Sequence, residues 1–530
     1  MKMALLVANR GFFPSEFLED ARRELAQAAA KHGIELLTTD PSLTRFGAIE
    51  TTAEGMLFKK FLDEHRGEFD GVIITLPNFG DENGIKAALA DIDVPVLLQA
   101  YPDEIGKMDF ANRRDAFCGK LGLCSVFKQM DFKFTSGRPF VMHPLGEDFE
   151  RELRDFAAIC RIVKKLRHLR VGVFGARTTA FKSVRFDEIA MERRGVEVES
   201  FDLVGVLARY NKMPENDPRV REWIDRLHAA ASFEGVPDYA DKTLARFGAT
   251  MQSYVDELSL GALTLRCWTE LQDELKIAPC SLLGIFNMLG VPAACETDAS
   301  NVYTMAALAA ASEGSAACLD LNNNYGTDPD KLILFHCGPV PADMMVKPGR
   351  IEEHKMFVKT SGPNCSWGLN VGHIRPGAIT FAGGRTDNGR CQFYLSTGEV
   401  TSDPVEEGFF GTPGVMRSDD LQRKMQNICY AGFRHHTTIT FGDWERAMDE
   451  ALVKYLGYTR ITGARGGLSV DTLYFVPLGE TAEVQKVTVT NTSDGQKSVK
   501  LFSFAEFCLW NAQDDQTNYQ RNLSIGEVEV

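Results

Sequence analysis

The 530-residue chain has no apolar run long enough for a transmembrane helix and no pair of cysteines at the CxxC spacing of a structural zinc site. Its longest uncharged stretch, residues 277–295, contains two prolines and two glycines, which is typical of a buried core segment. The N-terminus reaches Arg10 too soon for a signal peptide. The 12 cysteines are scattered along the chain, so we expect reduced, mostly buried thiols and a cytoplasmic protein.

The chain also lacks an excess of basic residues. Lysine and arginine number 58 against 73 aspartates and glutamates, which gives a net charge of −15. Because an acidic surface attracts neither nucleic acid nor an anionic membrane, we expect neither as a partner. The 44% hydrophobic and 25% charged fractions are those of a globular protein, and the length predicts several domains.

Apolar runs alternate with helical periodicity over roughly the first 165 residues. Residues 3–8, 71–76 and 94–100 predict buried parallel strands, and residues 15–32 predict a helix. Strands separated by helices imply a parallel sheet covered on both faces. Residues 1–165 are therefore predicted to form a Rossmann-like α/β domain.

A charged segment, residues 147–170, is predicted to separate this domain from a second Rossmann-like α/β domain, residues 166–345. The second domain opens with LRVGVFGAR, which lacks the third glycine of a dinucleotide-binding fingerprint. Arg177 ends this motif at the turn after the strand. It either meets an anionic or hydroxylated ligand or forms a surface salt bridge.

Two acidic residues follow predicted strands in this second domain. Glu296 comes after residues 291–295, and Asp320 comes after residues 316–319. Both carboxylates are therefore expected to emerge at equivalent strand ends of one sheet and to face the same crevice. Joined by a distant histidine, they would make an oxygen and nitrogen site that suits Mn²⁺ or Mg²⁺. Taken singly, each acid is also typical of a loop or of a turn cap.

After about residue 345, short runs separated by glycine and proline predict a β-rich, barrel-like domain, residues 346–456. The motif FRHHTT places His435 and His436 in this domain, before a predicted helix at residues 443–456. On a strand, two adjacent histidines would point to opposite faces.

The motifs ACETD, CLDLNNN, FHCGPVP and RHHTT resemble the L-fucose isomerase and L-arabinose isomerase superfamily, and the resemblance extends from residue 1 to about residue 456. It implies an aldose–ketose isomerase in which two Rossmann-like domains precede a β-barrel domain. It also implies a homo-oligomer, a hexamer or similar, in which protomers share the active site.

The resemblance further implies roles for individual residues. Glu296 and Asp320 would bind Mn²⁺, with Mg²⁺ or Co²⁺ as alternatives, and would transfer protons. His436 would be the distal metal ligand, and His435 would contact sugar hydroxyls. His336 matches an additional ligand of the arabinose branch, whereas the spacing of Glu296 and Asp320 fits the fucose branch.

This mixture leaves the substrate open. The first interpretation is an isomerase of a monosaccharide that acts through an enediolate. The alternatives are an isomerase of an anionic sugar such as sulfoquinovose, or a non-catalytic carbohydrate-binding protein of the same fold. Residues that could bind a sulfonate or phosphate are Arg113, Arg114, Lys120 and Arg177.

Residues 457–530 resemble a different family, the N-terminal β-sandwich of cellobiose-phosphorylase-type enzymes. The alternation in VQKVTVTNTSDGQKSVKLFSF predicts a hairpin with its turn at residues 493–495. The helical catalytic domain of those enzymes does not follow, so the sequence predicts no phosphorylase activity.

Overall fold

The computed structural model describes residues 1–178, 180–461, 468–475 and 484–491. Residues 1–461 form one compact unit. Within the described residues, no helix combines the length and the apolar character that crossing a bilayer requires.

The N-terminal part of this unit is a four-stranded parallel sheet with helices between its strands. Its elements in chain order are β1 (Lys2–Val7), α1 (Phe17–Lys31), β2 (Glu35–Leu37), α2 (Thr52–Glu64), β3 (Gly71–Leu76), α3 (Glu82–Ala88), β4 (Val96–Ala100) and α4 (Ala116–Gln129). The strand order is β2-β1-β3-β4. Every residue of β3 and β4 is buried, because apolar helix faces pack on both sides of the sheet. The predicted parallel α/β sheet is confirmed.

The charged segment predicted to separate the first two domains is instead a single amphipathic helix, α5 (Glu147–Arg167). Its first turn is acidic and its last turn is basic, which suits the helix dipole. Its apolar face, which includes Phe156, shares one hydrophobic cluster with Leu5 of the first sheet and Val171 of the following strand. Since the charges occupy only one face of the helix, α5 joins the two sheets through a common core.

A second parallel sheet follows α5. Its region contains β5 (Leu169–Phe174), α6 (Glu188–Glu192), β6 (Val196–Phe201), α7 (Leu203–Lys212), α8 (Pro218–Ala230), β7 (Ala231–Ser232), α9 (Asp238–Leu258), β8 (Ala262–Leu265), α10 (Glu270–Glu274), α11 (Cys280–Met288), β9 (Ala293–Cys295) and α12 (Ala299–Ser312). The sheet has the order β6-β5-β8-β9 with parallel pairing throughout, as predicted for a second α/β region.

The remainder of the unit is built around a large mixed sheet. Its elements are β10 (Ala317–Asn324), β11 (Lys331–His336), β12 (Gly349–Glu353), α13 (Lys355–Ser361), β13 (Trp367–Val371), β14 (Gly377–Asp387), β15 (Arg390–Val400), β16 (Thr412–Arg417), α14 (Leu421–Tyr430), β17 (His436–Phe441), α15 (Glu445–Asp449), a π-helical turn (Glu450–Tyr455) and β18 (Thr459–Arg460). Six strands close into a ring in the order β14-β17-β10-β11-β16-β15, because β15 also pairs with β14. Strands β7, β12 and β13 form a separate small sheet.

The expectation that Glu296 and Asp320 leave equivalent strand ends of one sheet is wrong. Glu296 follows β9 of the second parallel sheet, whereas Asp320 lies inside β10 of the mixed sheet, between β17 and β11. The reason is the short connection from β10 to β11, residues 325–330. A connection of this length permits an antiparallel hairpin, whereas a parallel pair needs a longer crossover.

Beyond residue 461, the described residues are β19 (Leu468–Phe475) and β20 (Val484–Asn491), which pair as an antiparallel hairpin. Strand β20 coincides with the start of the alternating segment predicted to be a strand. The predicted turn at residues 493–495 lies outside the described residues.

A buried ion pair connects α5 to α15, the helix that follows the closed ring of strands. Glu152 of α5 is 0% exposed, and both of its carboxylate oxygens accept hydrogen bonds from Arg446 of α15, at 2.5 and 2.7 Å. The backbone N–H of Arg138 donates to the same carboxylate at 3.0 Å. A buried carboxylate with three donors is satisfied only while all of them stay in place.

We therefore expect Glu152→Gln to lower the free energy of unfolding by about 3 kcal/mol, because it removes the buried carboxylate that accepts both hydrogen bonds from Arg446. The measurement is urea-induced unfolding of the full chain. Glu150→Gln is the matched control, since Glu150 lies on the same helix in an exposed pair with Lys31 and its loss should cost less than about 1 kcal/mol. Equal losses of unfolding free energy in the two variants would show that the buried pair stabilises the fold no more than the exposed pair does.

Candidate active site

Three predicted site residues converge on one point. Asp320 of β10 pairs directly with His436, the first residue of β17, so their side chains lie side by side on the sheet. The Nε2 atom of His436 lies 2.9 Å from Oε2 of Glu296 and 3.6 Å from Oδ1 of Asp320. The sequence thus identified residues that the fold brings together from two different sheets.

The backbone places Glu296 in an unusual conformation. Glu296 and Thr297 both have φ of 59°, in the left-handed region that non-glycine residues seldom adopt. The N–H of Thr297 bonds to the carbonyl of Leu265 on β8 at 3.3 Å, and the Trp268 indole donates to Glu296 Oε1 at 3.3 Å. Such residues cost about 1–3 kcal/mol each and are held by their surroundings, commonly at functional sites.

The sequence analysis missed Asp298 as a member of this site. Asp298 is completely buried, caps the N-terminus of α12 through the N–H of Asn301, and accepts a hydrogen bond from Arg434. Its other oxygen lies 2.8 Å from Nδ1 of His436. The available signal was its position just before α12, which is typical of a capping aspartate and did not indicate a contact with a histidine.

The contact with Asp298 fixes the tautomer of His436. When Nδ1 donates its proton to Asp298, Nε2 carries a lone pair that faces an oxygen of Glu296 at 2.9 Å. Two lone pairs at this distance repel each other unless a proton or a cation lies between them. A histidine held through Nδ1 by a carboxylate is the common arrangement of metal-binding imidazoles.

Three further observations fit a cation. Asp320 Oδ1 and His436 Nε2 are buried without a hydrogen-bond partner among the described residues. The carboxylates of Glu296, Asp298 and Asp320 meet here, and among the described residues only one guanidinium, that of Arg434, lies beside them. Ligand atoms of Glu296, His336 and His436 lie within 4.8 Å of one another. A divalent cation would balance the buried negative charge and use the unpaired atoms.

The electrostatics of the site keep Glu296 ionised. Burial alone would raise the pKa of Glu296, but the close contact with His436 and the positive charges of His436 and His336 outweigh burial and hold the pKa at about 2. Burial alone would lower the pKa of His436, yet neighbouring groups, with Asp298 among them, hold it well above its ordinary value. Both shifts show how strongly this pocket favours positive charge beside its carboxylates.

His336 has the opposite tautomer to His436. It is the last residue of β11, and its Nδ1 accepts a hydrogen bond from the backbone N–H of Cys337 at 2.9 Å. In the neutral ring the proton then lies on Nε2, which is buried without a described partner. This tautomer presents a hydrogen-bond donor to the site. The metal-ligand role of His336 would need the proton on Nδ1 instead, and it stays a prediction.

The three predicted substrate-binding residues lie in different places. His435 is 39% exposed beside Phe181, with Nε2 3.7 Å from Asp320 Oδ1. Burial and the charge of His436 lower the pKa of His435, so its ring is neutral at pH 7. Arg177 lies in the loop after β5, and the strand register puts this loop at the same sheet edge as Glu296.

Lys120 lies away from this cluster, on α4 of the first sheet. Its ammonium group is buried and donates to the carbonyls of Ser136 and Phe140. These contacts tie α4 to the following segment, and Lys120 does not line the cavity described next.

A cavity of about 640 Å³ opens in front of the carboxylates. Glu296, Asp320 and His336 lie on its wall, and its remaining described lining includes the aromatic residues Phe181, Trp268, Phe335, Phe357, Phe409 and Phe410 together with cysteines and asparagines. None of the described lining residues is lysine or arginine. The space suits a monosaccharide, with polar groups at one end and ring faces along the sides.

Models of known protein families match separate parts of this chain. A model described as the N-terminal domain of fucose/sulfoquinovose isomerase matches residues 4–167, and one described as the C-terminal domain of L-fucose isomerase matches residues 334–462. The second match includes His336, His435 and His436. The chain is 24% identical over 407 residues to a sulfoquinovose isomerase of Alkalicoccus urumqiensis, which covers 74% of this chain and 85% of that protein. It is 25% identical over 397 residues to a sulfoquinovose isomerase of Priestia aryabhattai, with 72% and 83% covered.

The C-terminal segment matches an unrelated family. A model described as the supersandwich domain of glycosyl hydrolase family 94 matches residues 449–530. An N,N'-diacetylchitobiose phosphorylase of Vibrio proteolyticus is 35% identical over 81 residues, which are 15% of this chain and 10% of that protein. The predicted resemblance of this segment to phosphorylase sandwiches is confirmed.

Proposed function

We propose that this chain, which belongs to the L-fucose isomerase superfamily and is an aldose–ketose isomerase, acts on an anionic aldose such as sulfoquinovose with a divalent cation. The observation that carries the proposal is the convergence of Glu296, Asp320 and His436, with Glu296 and Asp320 on the wall of one cavity. The relatives named sulfoquinovose isomerases favour the anionic sugar over the neutral monosaccharide of the first interpretation.

Glu296, Asp320 and His436 would hold the cation. Two carboxylate oxygens and one imidazole nitrogen suit Mn²⁺, and they also suit Mg²⁺ or Co²⁺. The bound cation would polarise the sugar carbonyl and stabilise the negative charge that develops on the adjacent oxygen. Asp298 holds the imidazole of His436 in the tautomer that this role requires.

The protein side chains would carry the proton transfers. Conversion of an aldose to a ketose moves one proton from C2 to C1 and another from the C2 hydroxyl to the C1 oxygen. One of the two carboxylates, Glu296 or Asp320, accepts the carbon proton and returns it to C1, and the other relays the hydroxyl proton. His336, through Nε2, and His435 at the cavity mouth would donate hydrogen bonds to sugar hydroxyls.

The anionic group of the substrate needs a positive partner outside the aromatic cavity. Arg177 is the candidate on this chain, because its loop lies at the same sheet edge as Glu296. The absence of lysine and arginine from the described cavity wall is the observation that keeps a neutral monosaccharide as the second candidate substrate.

The first prediction of this proposed function concerns the carboxylates. Asp320→Asn and Glu296→Gln should each lower kcat by roughly 10²–10⁴-fold, since each removes a group that moves a proton. Glu399→Gln is the control, since the Glu399 side chain is exposed on β15, and it should keep full activity. An Asp320→Asn enzyme that binds metal normally and retains its rate would remove Asp320 from the mechanism.

The second prediction concerns the substrate. Enzyme stripped of metal by a chelator and restored with Mn²⁺ should convert sulfoquinovose to its ketose at a higher kcat/KM than L-fucose, L-arabinose or D-arabinose. Arg177→Met should raise KM for sulfoquinovose about tenfold or more, because it removes a charge-assisted hydrogen bond, and should leave KM for neutral sugars unchanged. Turnover of neutral sugars alone would transfer the assignment to the second candidate, and turnover that ignores chelation would exclude the metal.

The third prediction concerns Asp298. Asp298→Asn should weaken Mn²⁺ binding by roughly 10–100-fold, because the amide no longer enforces the metal-binding tautomer of His436. Titration calorimetry with Mn²⁺ measures this change directly. Asp343→Asn, which removes a carboxylate bonded to Ser315 on the surface, is the control. Unchanged Mn²⁺ affinity in the Asp298 variant would mean that His436 is not a ligand.

A further inference from the structure

Four cysteines that are far apart in sequence come together behind the carboxylates. Cys267 follows β8, Cys280 begins α11, Cys295 ends β9 and Cys337 follows β11. The sulfur atoms of Cys267 and Cys295 lie 3.1 Å apart, and those of Cys280 and Cys337 lie 3.6 Å apart. Their sequence spacing forms no motif, so this thiol cluster is a product of the fold alone.

Three of these thiols line the substrate cavity, and one of them contacts His336. Cys280 and Cys337 both line the cavity, as does Cys267, whereas Cys295 is completely buried and is not among the lining residues. The Cys337 sulfur also lies 3.2 Å from Nδ1 of His336. A small molecule in the cavity therefore meets the pair formed by Cys280 and Cys337.

Cys280 is the thiol of this cluster best suited to act as a nucleophile. It is the first residue of the nine-residue helix α11, where the helix dipole favours a thiolate. Hydrogen bonds from Cys295 and Cys337 lower the pKa of Cys280, whereas burial raises the pKa of Cys267. The attacking thiolate in thiol–disulfide exchange is thus expected at Cys280.

We propose that Cys280 and Cys337 form a reversible disulfide when a low-molecular-weight disulfide enters the cavity, and that this bond inactivates the site. The thiolate of Cys280 attacks one sulfur of the small disulfide and releases one small thiol. The Cys337 sulfur, after losing its proton, attacks the mixed disulfide and releases the second small thiol. Two protein thiols are oxidised, and one small disulfide is reduced to two thiols.

The geometry explains why this bond would affect activity. The two sulfurs must approach by about 1.5 Å to reach a bond length of about 2.05 Å. The Cys337 side chain would then turn away from the imidazole of His336, whose Nδ1 also accepts the Cys337 N–H. The cavity wall beside His336 would move, and the donor that His336 presents to the site would move with it.

The test exposes the full-length protein to oxidised glutathione and maps its disulfides in peptides by mass spectrometry without reduction. We expect a link between the peptides that carry Cys280 and Cys337, loss of isomerase activity in parallel with the link, and recovery of activity with dithiothreitol. Cys280→Ser should abolish the link, and Cys295→Ala should retain it. Because the link is read from peptides, the result does not depend on the proposed substrate.

Matched controls separate this pair from surface oxidation. Replacement of the exposed Cys118 and Cys429 by serine should change neither the link nor the inactivation. The proposal is overturned if the only disulfides are glutathione adducts at those exposed positions or a link between Cys267 and Cys295. It is equally overturned if a protein with a complete link between Cys280 and Cys337 keeps its activity.

Discussion

The hydrogen bond between Asp298 and His436 is the interaction on which the site depends. It connects the start of α12, which follows the second parallel sheet, to the start of β17 in the closed barrel. Arg434 compensates the charge of Asp298, so the carboxylate can remain buried and ionised. Because Asp298 holds Nδ1 of the imidazole, Nε2 is left facing the carboxylates of Glu296 and Asp320. The parts of the site are positioned by this contact more than by any single sheet.

The second parallel sheet and the closed ring of strands position different residues of the site, because the two kinds of sheet present side chains differently. The parallel sheet supplies Glu296 from a strained left-handed turn at a strand end, where side chains are commonly presented to ligands. The barrel supplies Asp320 and His436 from within paired strands, where the register fixes their separation. The site thus combines one side chain presented from a turn with two presented from paired strands. This combination suits chemistry in which a proton must be accepted on one atom and returned to its neighbour.

The sequence predicted those features that leave a local signature. Apolar runs such as residues 71–76 identified the parallel strands, and Glu296, Asp320 and His436 were identified through motifs that the fold does bring together. Features that depend on long-range pairing were missed. Asp320 was assigned to the wrong sheet because four apolar residues before an acid are compatible with either sheet. The role of Asp298 and the thiol cluster depend on contacts between segments far apart in sequence, which no local pattern encodes.

The closed ring of strands has a consequence for biosynthesis. Strands β10 and β11 leave the ribosome well before their later partners, β17 and β16, and the ring closes only when β17 inserts between β10 and β14. Until then the nascent chain exposes unpaired strand edges and an incomplete core, and contacts between distant segments form slowly. The N-terminal sheet can assemble early, whereas the candidate active site is among the last parts to form. Newly made chains are thus expected to bind chaperones at the stage when β10 is paired with β11 but not yet with β17.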